Sequence, residues 1–354
     1  MKIIKYCVYI ILMILLIQCS KNRYDKYYDN YESFTEFPIT EQYEIKEFAD
    51  EKFMMPPGDF TIINDKYLVM EDDNNSITQM LLIYDLDTKK CIKKFGRKGK
   101  GPGEFINITD IFANYNSKNN FWIYDRATQR FSIFNVINIL ENNKLMPDTV
   151  LKINLKEGEP LDLCFLLENT IVSTGMFINS RLCFYDTNME PIKTAGKIPG
   201  NISDRIEKFM YIVTTNIVKN KKEEKFIFAY LIDDILEMYN FKGEIVKTIH
   251  GPDITKPAWL KKKRIGYAEG YTDLCSSSKF IYAVYSGEKR KTAGDFLSGY
   301  GKNILVFDWD GNPIKKITTD VRNGDIVISE KRKKLYAMYF DGEFFRIGYY
   351  DLEK

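Results

Sequence analysis

Four segments within residues 59–96 decide the fold: DFTIIN (59–64), KYLVME (66–71), MLLIYD (80–85) and CIKKFG (91–96). Each is rich in β-branched, aromatic or aliphatic residues, which favour strands, and polar residues separate them. The third segment ends in an aromatic residue followed by an aspartate, Tyr84-Asp85. The stretch therefore predicts four consecutive antiparallel strands that form one small sheet.

This pattern recurs, so that the chain carries six copies. The aromatic residues that end the third strands lie 50, 51, 54, 68 and 43 positions apart: Tyr84, Phe134, Tyr185, Tyr239, Phe307 and Tyr350. A repeat of this length is typical of radial or solenoid architectures, and sheets arranged in a closed ring protect their edges. We expect an all-β fold, a six-bladed β-propeller of four-stranded antiparallel blades. A β-sandwich or two stacked β domains is the alternative.

The last copy reaches the C-terminus after only three strands. The segment Gln42–Phe48 alternates apolar and polar residues, so we expect this N-terminal strand to supply the missing fourth strand and close the ring. The propeller is assigned to residues 37–354.

The N-terminus has the features of an export signal. Lys2 and Lys5 precede twelve apolar residues, which are fewer than the about 20 needed to span a bilayer as a helix. The sequence Leu16-Ile17-Gln18-Cys19 resembles a bacterial lipobox, although Gln18 replaces the usual small residue. The expectation is a signal peptide over residues 1–18, lipidation of Cys19 and a polar tether over 19–36. An uncleaved anchor, or a cleaved signal in which Cys19 is incidental, stays open.

Charge and composition exclude several classes of function. The formal net charge is +2, and loss of Lys2 and Lys5 would leave 49 basic against 49 acidic residues, so no nucleic-acid partner is expected. His250 is the single histidine, which excludes multi-histidine metal sites and most hydrolase triads. The spacings of Cys91, Cys164, Cys183 and Cys275 match no metal or redox motif, and these residues are expected to be buried free thiols.

Two glycine- and arginine-containing turns carry a family resemblance. Residues 95–105 (FGRKGKGPGEF) resemble the turn between NHL-type repeats, and 125–130 (DRATQR) resemble the turn joining strands two and three. Together they are similar to the six-bladed β-propeller lipoproteins of Bacteroidetes described as NHL-like or TolB-like. The resemblance implies an exported, lipid-anchored propeller of the cell envelope without an assigned reaction. The glycines of 96–103 are interpreted as structural, with Arg97 and Glu104 fastening the loop.

Propeller topology predicts where a ligand would bind. Loops from strand four to the next blade, and loops between strands two and three, emerge on one face around the channel mouth. We expect this face to carry the insertion 286–302 and a ligand-binding rim: Arg97, Arg126, Arg130, Arg181, Asp233 and Tyr285. Such side chains suit planar, carboxylate-bearing or sugar-like ligands. An ordinary decorated surface is the alternative.

The expected function is a non-catalytic ligand-binding, protein-binding or scaffold module, whose partner is a small molecule, a glycan or an envelope protein. The alternative is a lactonase- or lyase-like enzyme with a channel metal, calcium for example, held by Asp110, Asp162 and Asp273 at one register of the inner strands. No other cofactor is expected. The protein is predicted to be attached to the outer membrane through its lipid anchor alone. The absence of acidic residues in Ser20–Arg23 favours the periplasmic side of the membrane, and exposure on the cell surface stays an open alternative.

Overall fold

A computed structural model describes residues 30–72, 79–113, 117–167, 169–177, 180–196, 215–253, 269–289 and 296–353. The predicted signal peptide and Cys19 lie outside these residues. The strands, in chain order, are β1 (Tyr31–Ser33), β2 (Ile39–Tyr43), β3 (Lys46–Glu47), β4 (Phe60–Ile63), β5 (Tyr67–Glu71), β6 (Leu81–Asp85), β7 (Lys90–Phe95), β8 (Arg97–Lys98), β9 (Glu104–Phe105), β10 (Ile108–Ala113), β11 (Asn120–Asp125), β12 (Arg130–Asn135), β13 (Thr149–Lys152), β14 (Gly158–Leu167), β15 (Thr170–Phe177), β16 (Leu182–Tyr185), β17 (Pro191–Ala195), β18 (Val218–Asn220), β19 (Lys225–Ala229), β20 (Ile235–Asn240), β21 (Ile245–His250), β22 (Tyr271–Ser276), β23 (Phe280–Tyr285), β24 (Gly301–Asp308), β25 (Pro313–Ser329), β26 (Lys334–Phe340) and β27 (Phe345–Asp351).

The fold is all-β, a propeller-like arrangement of small antiparallel sheets. Three sheets contain four consecutive strands each, β4–β7, β10–β13 and β14–β17, and a fourth contains β18–β21 with β1 at its edge. One α-helix, α1 (Val136–Asn142), is inserted between β12 and β13, and Asn135 caps it by accepting hydrogen bonds from the N–H groups of Ile137 and Asn138. In the part of the chain that the structure describes, no helix is long and apolar enough to cross a membrane.

The fifth and sixth sequence repeats share one strand. The 17-residue β25 pairs with β24 mainly through Pro313–Thr318 and with β26 through Arg322–Ser329, so both repeats belong to one eight-stranded sheet. The sequence predicts two separate strands here, one that ends the fifth repeat and one that begins the sixth. This prediction was wrong, because β25 is continuous from Pro313 to Ser329. Between the two halves no glycine or proline occurs before Gly324, and the strand continues through a register shift between Asn323 and Ile326.

An N-terminal strap, residues 31–47, runs along the outer edges of three successive repeats. β1 pairs in parallel with β21, β2 pairs in parallel with β25, and β3 pairs antiparallel with β27. The predicted exchange between chain ends is present, but its strand is confined to Lys46–Glu47 instead of Gln42–Phe48. Tyr31–Ser33, placed in the predicted tether, is instead a strand of the propeller, held by backbone hydrogen bonds to the edge of β21.

The cores lie between neighbouring sheets. The second and third strands of the repeats are mostly covered on both faces, and β5 for example is buried at all five positions. The cluster that joins the first sheet to the last contains Phe48, whose ring packs edge-on against Tyr84 and Tyr336. Phe48 also donates its N–H to the carbonyl oxygen of Ile347 at 3.0 Å. This residue therefore joins the two ends of the chain by packing and by hydrogen bonding.

Three cysteines are free thiols: Cys183 and Cys275 are buried, and Cys91 is half-buried. The prediction of free thiols is confirmed for these three. The side chain of Cys164 lies outside the described part of the structure.

We predict that Phe48→Ala lowers the free energy of unfolding by about 3–5 kcal/mol, because it removes a buried ring from the junction between the first and last sheets. Urea denaturation followed by tryptophan fluorescence measures this change. The control is Met54→Ala, since the Met54 side chain is 73% exposed and its loss should change stability by less than about 0.5 kcal/mol. Equal effects of the two substitutions would contradict the role assigned to Phe48.

Candidate functional site

In or just before the innermost strand of each of the six repeats, an aspartate or asparagine directly precedes an apolar residue. The six dipeptides are Asp59-Phe60, Asp110-Ile111, Asp162-Leu163, Asn216-Ile217, Asp273-Leu274 and Asp325-Ile326. The ladder shifts register just before Asp110, Asp162 and Asp273, and also between Asn323 and Ile326. A bulge at that point re-aims the side chain that follows it. We call these six positions the acid ring.

Described members of the acid ring bond to the inner strand of a neighbouring repeat. Asp59 accepts a hydrogen bond from the N–H of Ile111 at 2.5 Å through Oδ2 and from the N–H of Phe60 at 2.8 Å through Oδ1. Asp273 accepts one from the N–H of Ile326 at 2.6 Å and one from the Asn216 side-chain amide at 2.8 Å. The carboxylates therefore fasten neighbouring inner strands to one another.

Burial perturbs the titration of two ring members. Desolvation raises the pKa of Asp273 well above its ordinary value, and the nearby Asp325 carboxylate raises it further. Desolvation also raises the pKa of Asp325 to about 6. Both groups hold a proton more tightly than exposed aspartates do.

A cavity of about 640 Å³ runs along the inner strands. Asp59, Asp110 and Asn216 line it at the acid ring, and strand residues such as Val218 and Cys275 line its middle. The residues around the end remote from the acid ring are Asn64, Asp65, Lys118, Lys219, Glu330 and Lys331, which lie in or beside the connections from the first to the second strand of each repeat. The cavity is the central channel, acidic at one end and lysine-bearing at the other.

The two acids at the lysine end are already bonded. Asp65 accepts a hydrogen bond from the Ser329 hydroxyl at 2.8 Å, and Glu330 accepts two at 2.7 Å from the N–H and hydroxyl of Ser278. Lys118 and Lys331 are exposed. The sequence prediction assigned the ligand site to the opposite face and did not include these lysines.

Three predicted rim arginines hold loops. Arg97 pairs with Glu104, Arg130 donates to the carbonyl oxygens of residues 100, 101 and 104, and Arg126 pairs with Glu159 at 2.7 Å. The N–H of Gly101, together with Arg97, lowers the pKa of Glu104. The glycine-rich loop is therefore fastened as the sequence indicates, and its arginines are engaged in doing so.

The other three rim candidates are buried. The Arg181 guanidinium lies 4.4 Å from the ring centroid of Tyr230 and 3.9 Å from Glu237, and none of its surface is exposed. Asp233 is buried as well. Tyr285 donates its hydroxyl proton to Asp253 at 2.7 Å, and burial raises its pKa. These side chains do not form the open rim that the sequence predicts.

The described parts of the insertion 286–302 pack onto neighbouring strands. Arg322 pairs with Glu288 at 2.6 Å and donates to the carbonyl oxygen of Tyr300 at 3.2 Å. Tyr300 directly follows a short 3₁₀ helix, Phe296–Gly299, and its ring packs against Phe345. Residues 290–295 lie outside the described part.

The metal candidates fall at equivalent positions of the acid ring, with the Asp162 side chain outside the described set. Among the side chains that the structure describes, no three carboxylate, histidine or cysteine groups lie close enough together to hold a metal ion. His250 is buried away from the channel, where Asp234 lies 2.9 Å from its Nε2 and the Tyr31 hydroxyl contacts its Nδ1. The single histidine therefore holds the strap against β21.

Sequence reasoning found half of the acid ring. It identified Asp110, Asp162 and Asp273 and missed Asp59, Asn216 and Asp325. The sequence does contain a signal for all six members of the acid ring. Each repeat has Asp or Asn followed by an apolar residue at the same point of its inner strand.

We predict that Asp325→Asn weakens the pH dependence of stability. Because the folded state binds a proton that the unfolded chain releases near pH 4, the wild-type group contributes stability at low pH that is lost as pH rises towards about 6. The variant should therefore exceed wild type at pH 7 by about 1–3 kcal/mol and match it near pH 4. Urea unfolding across this range measures the difference. Asp50→Asn, at an exposed position, is the control, and parallel wild-type and Asp325→Asn curves would contradict the prediction.

Comparisons with known proteins agree with this architecture. A family model described as a TolB-like 6-blade propeller-like family matches residues 33–331. A solved structure from Bacteroides fragilis NCTC 9343, whose name describes it as an exported protein, has a TM-score of 0.55 and 12% identity, over 90% of this chain and 98% of its own. A member of the DUF4221 family from Bacteroides vulgatus ATCC 8482 has a TM-score of 0.53 and 13% identity, over 88% and 99%. No protein with curated annotation matches. The family match covers most of the chain, which therefore belongs to the TolB-like six-bladed propeller family.

Proposed function

We propose that this protein is a lipid-anchored envelope propeller that binds a carboxylate-bearing small molecule in its central channel and does not transform it. The observation that carries the proposal is the channel itself, with lysines at one end and hydrogen-bonded acids at the other. The ring in this proposal has six blades, of which the fifth and sixth share β25, and the strap closes it.

The size of the channel suits a small molecule. Ligand sites in proteins commonly enclose about 300–1,000 Å³, and this channel encloses about 640 Å³. Its middle is lined by apolar or small side chains such as Val218 and Cys275, which exclude water from a bound ligand. A monosaccharide or disaccharide acid fits such a space.

The charge at the lysine end favours an anion. Lys118 and Lys331 make no ion pair with any described residue, whereas the neighbouring acids Asp65 and Glu330 accept hydrogen bonds from serine side chains. Lysine ammonium groups bind carboxylates as point charges. The ligand's carboxylate would lie at this end.

The acids at the other end support binding over catalysis. A general acid or base needs an oxygen within reach of substrate, and a metal needs several converging donors. Both oxygens of Asp59 and of Asp273 already accept hydrogen bonds from the protein. Asp59 and Asp273 are committed to holding neighbouring inner strands together, which argues against their use as metal ligands or as catalytic acids and bases.

The envelope location rests on the N-terminal sequence, in which a short apolar run ends at Ile17 and is followed by Gln18 and Cys19. The similar protein of Bacteroides fragilis is described as exported. The strap begins at residue 31, so a polar segment joins the anchor to the fold. We propose attachment to the outer membrane through the lipid, with the periplasmic side favoured.

The channel assignment is tested with a panel of sugar acids, including glucuronate and galacturonate oligomers, by isothermal titration calorimetry. At least one member should bind, and the double variant Lys118→Ala/Lys331→Ala should weaken that binding by about tenfold or more, since each lost charge contact is worth about 0.5–1 kcal/mol. Lys90→Ala/Lys94→Ala, at exposed positions of the outer strand β7 and away from the channel, is the charge-matched control. Turnover of a panel member, or equal loss in both double variants, would contradict the proposal.

The anchor is tested by Cys19→Ala. The wild-type chain should enter the detergent phase of a Triton X-114 partition and carry fatty acyl groups on its N-terminal peptide by mass spectrometry. The variant should lose both properties, and Cys91→Ala should keep them. An unmodified wild-type N-terminus would overturn the assignment while leaving the channel proposal intact.

A further inference from the structure

The fourth strands of four repeats carry a lysine at one equivalent position. The strand register shows that these positions are equivalent. In each repeat, the aromatic residue that ends the third strand pairs with a residue of the fourth strand, and the lysine lies two positions after that partner, on the other side of a bulge. The four residues are Lys93 in β7, Lys193 in β17, Lys247 in β21 and Lys315 in β25.

On two of these edges, the strap supplies both a strand and an acid. β1 lies parallel to β21, and Glu32 pairs with Lys247 at 2.6 Å. β2 lies parallel to β25, and Glu41 pairs with Lys315 at 2.8 Å. Backbone hydrogen bonds accompany the pairing, since Thr248 donates its N–H to the Asn30 carbonyl oxygen at 3.1 Å. The chain itself shows what binds to such an edge: an extended segment with a carboxylate opposite the lysine.

The edge of β7 has the same lysine and lacks this cover. β7 ends its sheet, and among the described residues no strand pairs with its outer side. Ile92 is 42% exposed, and Lys90 and Lys94 are exposed beside it. Lys93 bonds to a neutral oxygen, the side-chain amide of Asn143, at 2.5 Å. We call Lys90–Phe95 with the following Lys98 the basic edge.

We propose that the basic edge of the first blade binds an extended acidic segment of a partner protein by β-strand pairing. Main-chain hydrogen bonds would supply affinity and the alternation of lysines with Ile92 would supply specificity. The lysines also repel the same edge of a second copy, because like charges would lie opposite each other. A partner that carries glutamates or aspartates turns that repulsion into attraction.

A peptide tests this directly. The probe is a short synthetic peptide of alternating glutamate and threonine, added to the purified full chain. Fluorescence anisotropy should show saturable binding, and hydrogen exchange should slow at the amides of β7 while other edges remain unchanged. Lys90→Glu/Lys94→Glu should weaken binding by about tenfold or more, because both contacts become repulsive. Lys221→Glu/Lys222→Glu carries the same charge change in a remote turn and should bind like wild type.

Two results would overturn the proposal. The first is a proline-interrupted peptide of equal charge that binds as tightly as the probe, because it cannot pair as a strand. The second is binding of anionic phospholipid vesicles that depends on Lys90 and Lys94, without protection of β7 amides by the peptide. That outcome would make the basic edge a membrane-contacting surface.

Discussion

The hydrogen bond that a backbone N–H of one inner strand donates to a buried carboxylate of the neighbouring inner strand is the interaction on which this propeller depends. Sheets arranged around an axis splay apart, so their inner strands need a link that a backbone ladder does not provide. Asp59 bonds to Ile111 and Asp273 bonds to Ile326 across two different boundaries. A buried N–H without a partner would cost about 1–3 kcal/mol, so each link avoids a substantial penalty. The same links engage both carboxylate oxygens of Asp59 and of Asp273.

The repeats could be predicted from sequence because the second and third strands of a repeat are covered on both faces. Continuous apolar runs ending in a buried aromatic, such as those with Tyr84 and Tyr185, are a direct consequence of packing between sheets. Local patterns say less about where one strand stops. The sequence at 319–323 is polar and contains no breaker, and only the pairing of β25 with two neighbours shows that one strand serves both repeats. The role of Tyr31 in the strap depends on His250, more than 200 positions away, and no local pattern contains that contact.

The candidate site was harder to predict because the relevant partners lie far apart in the chain. Arginines on propeller turns are typical of ligand rims, yet Arg130 bonds to carbonyl oxygens about 30 positions away and Arg181 packs on Tyr230. A side chain that has a structural partner looks identical in sequence to one that has none. The acid ring was accessible in principle, because its spacing follows the repeats, and Asn216 hides it from a search for acids alone.

A formally neutral chain can still present strong local fields, and here the repeats produce them. The lysine of the fourth strand lies in a balanced ion pair wherever the strap passes, at Lys247 and Lys315. The strap covers only part of the ring, so the same repeat position at Lys93 is left with a neutral partner and two exposed lysines beside it. Inside the channel, Asp59 and Asp110 lie at one end, and exposed lysines lie at the other end beside two hydrogen-bonded acids. The net charge of the chain therefore describes neither the outer edge of β7 nor the channel. The repeats place the same type of side chain in different surroundings, and those surroundings determine whether its charge is already paired.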